Sequence, residues 1–147
     1  MDDLSIRTLS HGDEHTLDLL LHLYISVFGE PGYPENTDHL SPLLQNESVL
    51  FVVALMSEKL VGGVTGYLLP SLYGGYHELY IYDMAVSIDF QHRGIGSRLL
   101  DYLKAYCKSA GVHEMYVQAD APDLEARQFY KKNDGTESDV FQYNFRI

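Results

Sequence analysis

Between Tyr76 and Ala119 the character of the chain changes three times, and that order restricts the fold more than any other stretch. Tyr76 to Val86 is rich in tyrosine and isoleucine and predicts a strand, after which Ser87 to Gly96 is polar and glycine-containing. Leu99, Leu100, Leu103, Tyr106, Cys107 and Ala110 then recur at helical spacing until Gly111, and Val112 to Ala119 predicts a further strand. Strand, glycine loop, helix and strand make a β-α-β unit, whose two strands lie parallel through a right-handed crossover.

The elements around this unit are simpler. Leu17, Leu20, Leu21, Tyr24, Val27 and Phe28 form the apolar stripe of a helix that Gly29 and Pro31 end. Tyr33 to Glu47 is polar, broken by Pro34 and Pro42, and reads as a loop with at most a short helix. Val49 to Leu55 predicts a strand buried on both faces, Ser57 to Lys59 a turn, and Leu60 to Leu69 a second strand containing Gly62, Gly63 and Gly66. With Tyr76 to Val86 these make an antiparallel meander. Pro122 predicts the first turn of a helix running to about Lys132, with Asp120 or Ala121 near its cap. A last strand is expected over Asp139 to Ile147, with Phe141, Tyr143 and Phe145 on one face. The expected fold is α+β, a mixed and mostly antiparallel sheet with flanking helices, in a single domain over 1–147.

Composition narrows the function. Ten Lys and Arg stand against 21 Asp and Glu, for a formal charge of −11. No basic cluster is present to track phosphates, so a nucleic-acid partner is not expected, whereas a polycation would be concentrated by the field. The single cysteine, Cys107, excludes an intramolecular disulfide and suits a reducing cytoplasm. The acidic start Met1-Asp2-Asp3 is unlike a signal peptide, and the apolar run Val49 to Leu55 is far short of the ~20 residues that span a bilayer, so no membrane association is expected. His11 and His15 are four apart but interrupted by Gly12, and no metal site is assigned.

The chemistry is concentrated in Gln91-His92-Arg93-Gly94-Ile95-Gly96-Ser97. A glycine loop opening into a helix converges backbone N–H groups on the positive end of the helix dipole, the requirement for a phosphate or pyrophosphate site. A side chain at such a glycine would hold the anion off the backbone. Arg93 and Arg98 add positive charge locally. Neither the P-loop nor the dinucleotide glycine spacing is present, and Gly94-x-Gly96 by itself is equally served by a tight strand-to-helix turn.

Gln91-His92-Arg93-Gly94-Ile95-Gly96 resembles the Gln/Arg-x-x-Gly-x-Gly/Ala signature of the Gcn5-related N-acetyltransferase superfamily. The resemblance extends upstream through Tyr80 to Val86 and downstream through Gln128-Phe129-Tyr130-Lys131-Lys132. It implies acetyl-CoA as acetyl donor, with its pyrophosphate on the amides of Gln91, His92, Arg93, Gly94, Ile95, Gly96 and Ser97. The pantetheine arm would pair with the backbone of Met84, Ala85 and Val86, in a wedge between splayed strands. Glu78 to Val86 and Tyr116 to Asp120 further resemble aminoglycoside 3-N-acetyltransferases of the gentamicin-resistance type. That resemblance implies a polycationic aminoglycoside partner and a homodimer.

Direct attack by an amine needs a base, an oxyanion donor and a proton for the departing thiolate. Carried over, Asp83 is the leading general base, or else a carboxylate orienting the loop, and Asp120 is the second candidate, or else a helix cap. Both, with Glu78 and Asp123, are candidates to bind substrate ammonium groups. Tyr130 matches the tyrosine near the cofactor sulfur and is the expected general acid; packing on its helix is the alternative. Cys107, on an apolar stripe, is read as core. The chain departs from the family in reading Lys131-Lys132-Asn133-Asp134-Gly135-Thr136 where Lys-x-Gly-Phe is usual. An acetyltransferase of another polyamine or of a peptide or protein amine is the competing enzymatic reading, and a non-catalytic acyl-CoA-binding module the non-enzymatic one.

Overall fold

A computed structural model describes residues 3–147. The elements are β1 (Leu4–Thr8), α1 (Glu14–Phe28), α2 (Leu40–Gln45), β2 (Val49–Met56), β3 (Lys59–Pro70), β4 (His77–Val86), α3 (Ile95–Ser109), β5 (Val112–Val117) and α4 (Leu124–Lys132), with a single 3-10 turn over Ile88–Phe90. The five strands form one sheet in chain order. β1 to β4 pair antiparallel, and β4 and β5 pair parallel across α3, as the change of period at Ser87 requires.

The sheet separates two apolar layers. On one face Leu79 and Ile81 of β4 pack with Ile95, Leu99 and Leu103 of α3. On the other, Leu17 and Leu20 of α1 pack with Phe51 and Val53 of β2 and Leu40 of α2. β2 feeds both layers, which is why its central residues, Val52 to Ala54, are fully buried and its sequence is continuously apolar rather than alternating. Gly63 of β3 is required by this packing, since a Cβ there would stand 2.4 Å from Leu20 Cδ1 and 3.0 Å from the Val52 carbonyl. The Arg7 guanidinium donates twice to the Asp13 carboxylate, at 3.0 Å each, and so ties β1 to the start of α1. Cys107 is buried at 8% exposure in the α3 layer, and burial pushes its thiol pKa up, as befits an inert core residue.

One element was not expected, and three expectations need correction. β1 is a strand that no sequence signal announced. Pro122 precedes α4 rather than entering its first turn, and the cap is Asp123, whose carboxylate accepts from the Ala126 amide at 3.1 Å. β5 ends at Val117, not Ala119. The expected last strand over Asp139 to Ile147 pairs with no strand among the described residues: residues 136–147 form no regular element and are exposed throughout. A strand exists only through its partner, so alternation along a segment cannot say which edge receives it.

β4 carries the feature that positions the site. Opposite Thr65 and Gly66 of β3 the register jumps from Asp83 to Ile81, leaving Tyr82 as one extra residue. Before this bulge Leu79 and Ile81 face the α3 layer; after it Met84 and Val86 do. The parity has flipped, and Asp83 comes to the face on which Thr65, its cross-strand partner, hydrogen-bonds the Tyr24 hydroxyl of α1 at 3.0 Å.

Candidate active site

β5 pairs with β4 only from His77 to Ile81, whereas β4 continues to Val86. From Tyr82 onward the two strands part, and the edge of β4 at Met84, Ala85 and Val86 faces a cleft of about 710 Å³. Its floor is this strand end; the glycine loop and the first turn of α3 form one wall, α4 the other, and Val27 and Phe28 of α1 close one side. The volume falls in the usual range for small-molecule sites, ~300–1,000 Å³.

The loop is built to present amides. Gly94 has φ +80°, a left-handed conformation that favours glycine, and as the cap of α3 it offers no side chain to satisfy the helix start. His92 is also left-handed, at φ +61°. The first bond of the helix runs from the Arg98 amide to the Gly94 carbonyl at 3.1 Å. Among the described residues, no side chain or carbonyl accepts from the amides of His92 to Ser97. Six consecutive donors without an acceptor, at the positive end of a 15-residue helix, form a cradle for a phosphate group. Gln91 does not share that role through its side chain, which donates to the Val86 carbonyl at 3.0 Å and braces the loop against β4.

The two glycines serve different purposes. A Cβ on Gly96 would point not at the cradle but at Phe129 of α4, 2.9 Å from Cζ and 3.1 Å from Cε2. Gly96 therefore makes room on α3 for the Phe129 ring of α4, a correction to reading both glycines as clearance for an anion. Arg93 lies over the Phe90 ring, 5.1 Å from its centroid, and does not line the cleft; His92 does, with Nε2 3.6 Å from Glu125 Oε1.

Tyr130 lines the cleft beside Phe129, the two rings meeting edge to face at 5.2 Å. Burial, reinforced by the Asp123 charge, pushes its pKa up to about 12, so the hydroxyl stays a proton donor throughout the working range of an enzyme. Asp83 is half-buried just beyond the cleft, and burial raises its pKa, favouring proton uptake. Asp123 and Glu125 line the cleft at the start of α4. Asp120 does not: it is exposed, and its carbonyl accepts from the Asp123 amide at 2.9 Å. Glu78 stands on β4 opposite Glu114 of β5, five residues from Asp83 along the strand.

Sequence reading did not find the tyrosines that share the Asp83 face. Tyr67, Tyr80 and Tyr116 stand side by side on β3, β4 and β5. Tyr80 and Tyr116 stack at 4.8 Å, and Tyr82 meets Tyr67 and Tyr80 edge-on at 5.6 and 5.8 Å. The row becomes visible only with the register, because the three residues lie 13 and 36 positions apart in the chain.

A model of the acetyltransferase (GNAT) family matches residues 14–135. No curated protein matches the chain. Among solved structures, an aminoglycoside acetyltransferase from an uncultured soil metagenomic sample, in complex with sisomicin, is similar at 30% identity and TM-score 0.95, over 99% of this chain and 97% of that one. A second aminoglycoside acetyltransferase from such a sample is similar at 26% identity and TM-score 0.91, over 98% of each chain. A ribosomal-protein-alanine N-acetyltransferase from Brucella melitensis biovar Abortus 2308, at 23% identity and TM-score 0.80 over 98% of this chain and 99% of that one, has the same fold. The family match takes in the forked strands and the amide cradle alike, and the chain therefore belongs to the GNAT family of acetyltransferases, whose members use acetyl-CoA as co-substrate.

Proposed function

We propose that the protein transfers the acetyl group of acetyl-CoA to an amine of an aminoglycoside, at the 3-amino position, as a homodimer in the cytoplasm. The observation that carries this reading is the position of Asp83: one residue before the free edge of β4, and turned by the bulge onto a face of tyrosines. Tyrosine rings and carboxylates together attract ammonium groups, and a chain at −11 adds a long-range field of the same sense. The sisomicin-bound relative supports the same substrate class.

The free amides of His92 to Ser97 hold the pyrophosphate, and the backbone of Met84 to Val86 lies along the pantetheine arm. Asp83, with its raised pKa, takes a proton from the substrate ammonium, directly or through a water, and the freed amine attacks the thioester carbonyl. A backbone N–H near Ala85 or Val86 meets the oxyanion, and Tyr130 returns a proton to the departing sulfur. Glu78, Asp120 and Asp123 bind the other ammonium groups of the substrate. The single cysteine supports a reducing compartment.

The test is thiol release from acetyl-CoA with gentamicin, sisomicin, kanamycin, spermidine and a lysine peptide. Turnover confined to gentamicin-like acceptors, with the product acetylated at the 3-amine by NMR, supports the reading. Turnover on spermidine or the peptide alone would discard the aminoglycoside.

A further inference from the structure

Among the described residues Thr65 is the one buried polar side chain, at 4% exposure, and the acetyl transfer derived above makes no use of it. It stands on the face of β3 that also turns Gly63 toward Leu20 of α1. There its Oγ1 meets the Tyr24 hydroxyl at 3.0 Å. The Tyr24 ring is held in turn by stacking on Phe28, with centroids 5.7 Å apart. Two hydroxyls that satisfy each other inside an apolar layer add little stability over apolar groups of the same shape, so stability alone does not account for the pair.

The pair carries more protons than its mutual bond consumes. Each hydroxyl has a single O–H; one is donated to the other oxygen, and the second is left to point elsewhere. Directly across from Thr65 stands Asp83. Opposed side chains on antiparallel strands have Cβ atoms about 4.5–5.5 Å apart, which brings a threonine hydroxyl within reach of a carboxylate, directly or through a water. Asp83 needs such a donor. Burial raises its pKa, and no lysine, arginine or histidine offsets that rise. The titratable groups that sense its charge are Tyr24 of α1, Tyr67 of β3 and Tyr80 of β4, all held protonated by burial above all. Hydroxyls are therefore what remains to stabilise this carboxylate when it ionises.

We infer that Tyr24 and Thr65 are positioning residues for Asp83: Tyr24 donates to Thr65 Oγ1, and the Thr65 hydroxyl donates, directly or through a water, to the ionised carboxylate. The chain of bonds engages one carboxylate oxygen and leaves the other free for the incoming ammonium. It also ties α1 to the end of β4 that faces the cleft. Its catalytic weight rests on the reading of Asp83 as general base, whereas the hydrogen bond itself does not.

Carboxyl NMR titration on the full chain tests it, with the Asp83 signal identified by its absence in Asp83→Asn. In Thr65→Val the Asp83 midpoint is expected to rise by about one unit, the loss of a hydrogen bond to a charged group. Thr65→Ser, which keeps the hydroxyl, is expected to hold the wild-type midpoint, and Tyr24→Phe to raise it by less than the valine does. The double variant Tyr24→Phe/Thr65→Val removes both hydroxyls and leaves neither unpaired, so it decides the matter should Thr65→Val fail to fold. With sisomicin as acceptor, the acid limb of kcat/KM is expected to move with the midpoint while the plateau at higher pH is largely kept. A midpoint unmoved in the double variant, or a serine variant that behaves like the valine one, would overturn the inference. A midpoint that moves while the acid limb stays would uphold the hydrogen bond and remove Asp83 from the role of base. The titration needs no turnover, so an error in the acceptor leaves it intact.

Discussion

Replacing Gly96 with alanine separates two explanations of the glycine in this loop. If the glycine lets a phosphate approach the backbone, the added methyl weakens acetyl-CoA binding and leaves stability alone. In the structure the methyl instead lands 2.9 Å from Phe129 Cζ and 3.1 Å from Cε2, where ordinary carbon contact begins near 3.4 Å or beyond. Phe129 must retreat by roughly half an ångström, and an overpacked contact of this kind costs about 1–3 kcal/mol. For a chain of this length each kcal/mol lowers Tm by about 2–4 °C, so a fall of about 2–12 °C is expected. Phe129 meets Tyr130 edge to face, so the displaced ring also shifts the proposed proton donor, and kcat falls while the KM for acetyl-CoA changes little. The decisive assay is a cycle of Gly96→Ala, Phe129→Ala and the double variant, followed by thermal unfolding. Removing the ring removes the obstacle, so the double variant should be at least 1 kcal/mol more stable than the sum of the single effects predicts. Additive losses, or a Gly96→Ala variant with unchanged Tm and weakened acetyl-CoA binding, would refute the packing explanation.

Asp83→Asn should lower kcat by about 10²–10⁴, the usual worth of a general base. Burial raises the pKa of Asp83 in the folded state, so its ionised form opposes folding; the asparagine variant is therefore expected to have a higher Tm than wild type at pH 7, a gain that shrinks as pH falls through the raised folded value and is gone below the ordinary 3.8. A lower Tm at pH 7 would contradict this. Tyr130→Phe should reduce kcat by about tenfold or more with acetyl-CoA binding retained, and equal losses in binding and turnover would reassign the residue to packing. Glu137, paired with Arg127 and Lys131, has its pKa lowered from 4.5 to about 2, so the contact is fully present above pH 4.5 and lost as pH falls through about 2. A carboxyl NMR titration of Glu137 should follow that midpoint in wild type and move toward 4.5 in Arg127→Ala; a wild-type midpoint near 4.5 would show that the clamp does not hold in solution.

The β-α-β unit and the meander were legible because local pattern and tertiary role agree there: β2 is continuously apolar because it is covered on both sides, and α3 carries its core residues on one stripe. β1 was not, since Leu4-Ser5-Ile6-Arg7-Thr8 offers only two apolar positions before the polar run that follows. The bulge left no mark, because Tyr82 is as good a strand residue as its neighbours and the extra count appears only against β3. The loop of the site could be read from Gly94 and Gly96, but the reason for Gly96 could not, since Phe129 lies 33 residues away. Asp120 and Ala121 were the caps expected near Pro122, and Asp123 takes the role instead, because the turn that carries its amide back to the Asp120 carbonyl delays the helix to Leu124. The C-terminal alternation of Phe141, Tyr143 and Phe145 predicted a strand that the structure does not form, because a strand needs a neighbour that local pattern cannot specify.

A strand with one surplus residue tolerates substitution far better than it tolerates a change of length. Deleting Tyr82 would restore even pairing with β3 and leave Asp83, Met84 and Val86 on the faces they now hold, because Ile81 and Asp83 already pair with the adjacent Gly66 and Thr65. A residue gained or lost elsewhere in β4, with the bulge kept, would exchange the faces of every side chain beyond it. A change of length is absorbed instead in turns such as Ser71 to Tyr76, where an extra residue changes the reach of a hairpin and leaves the phase of β4 intact.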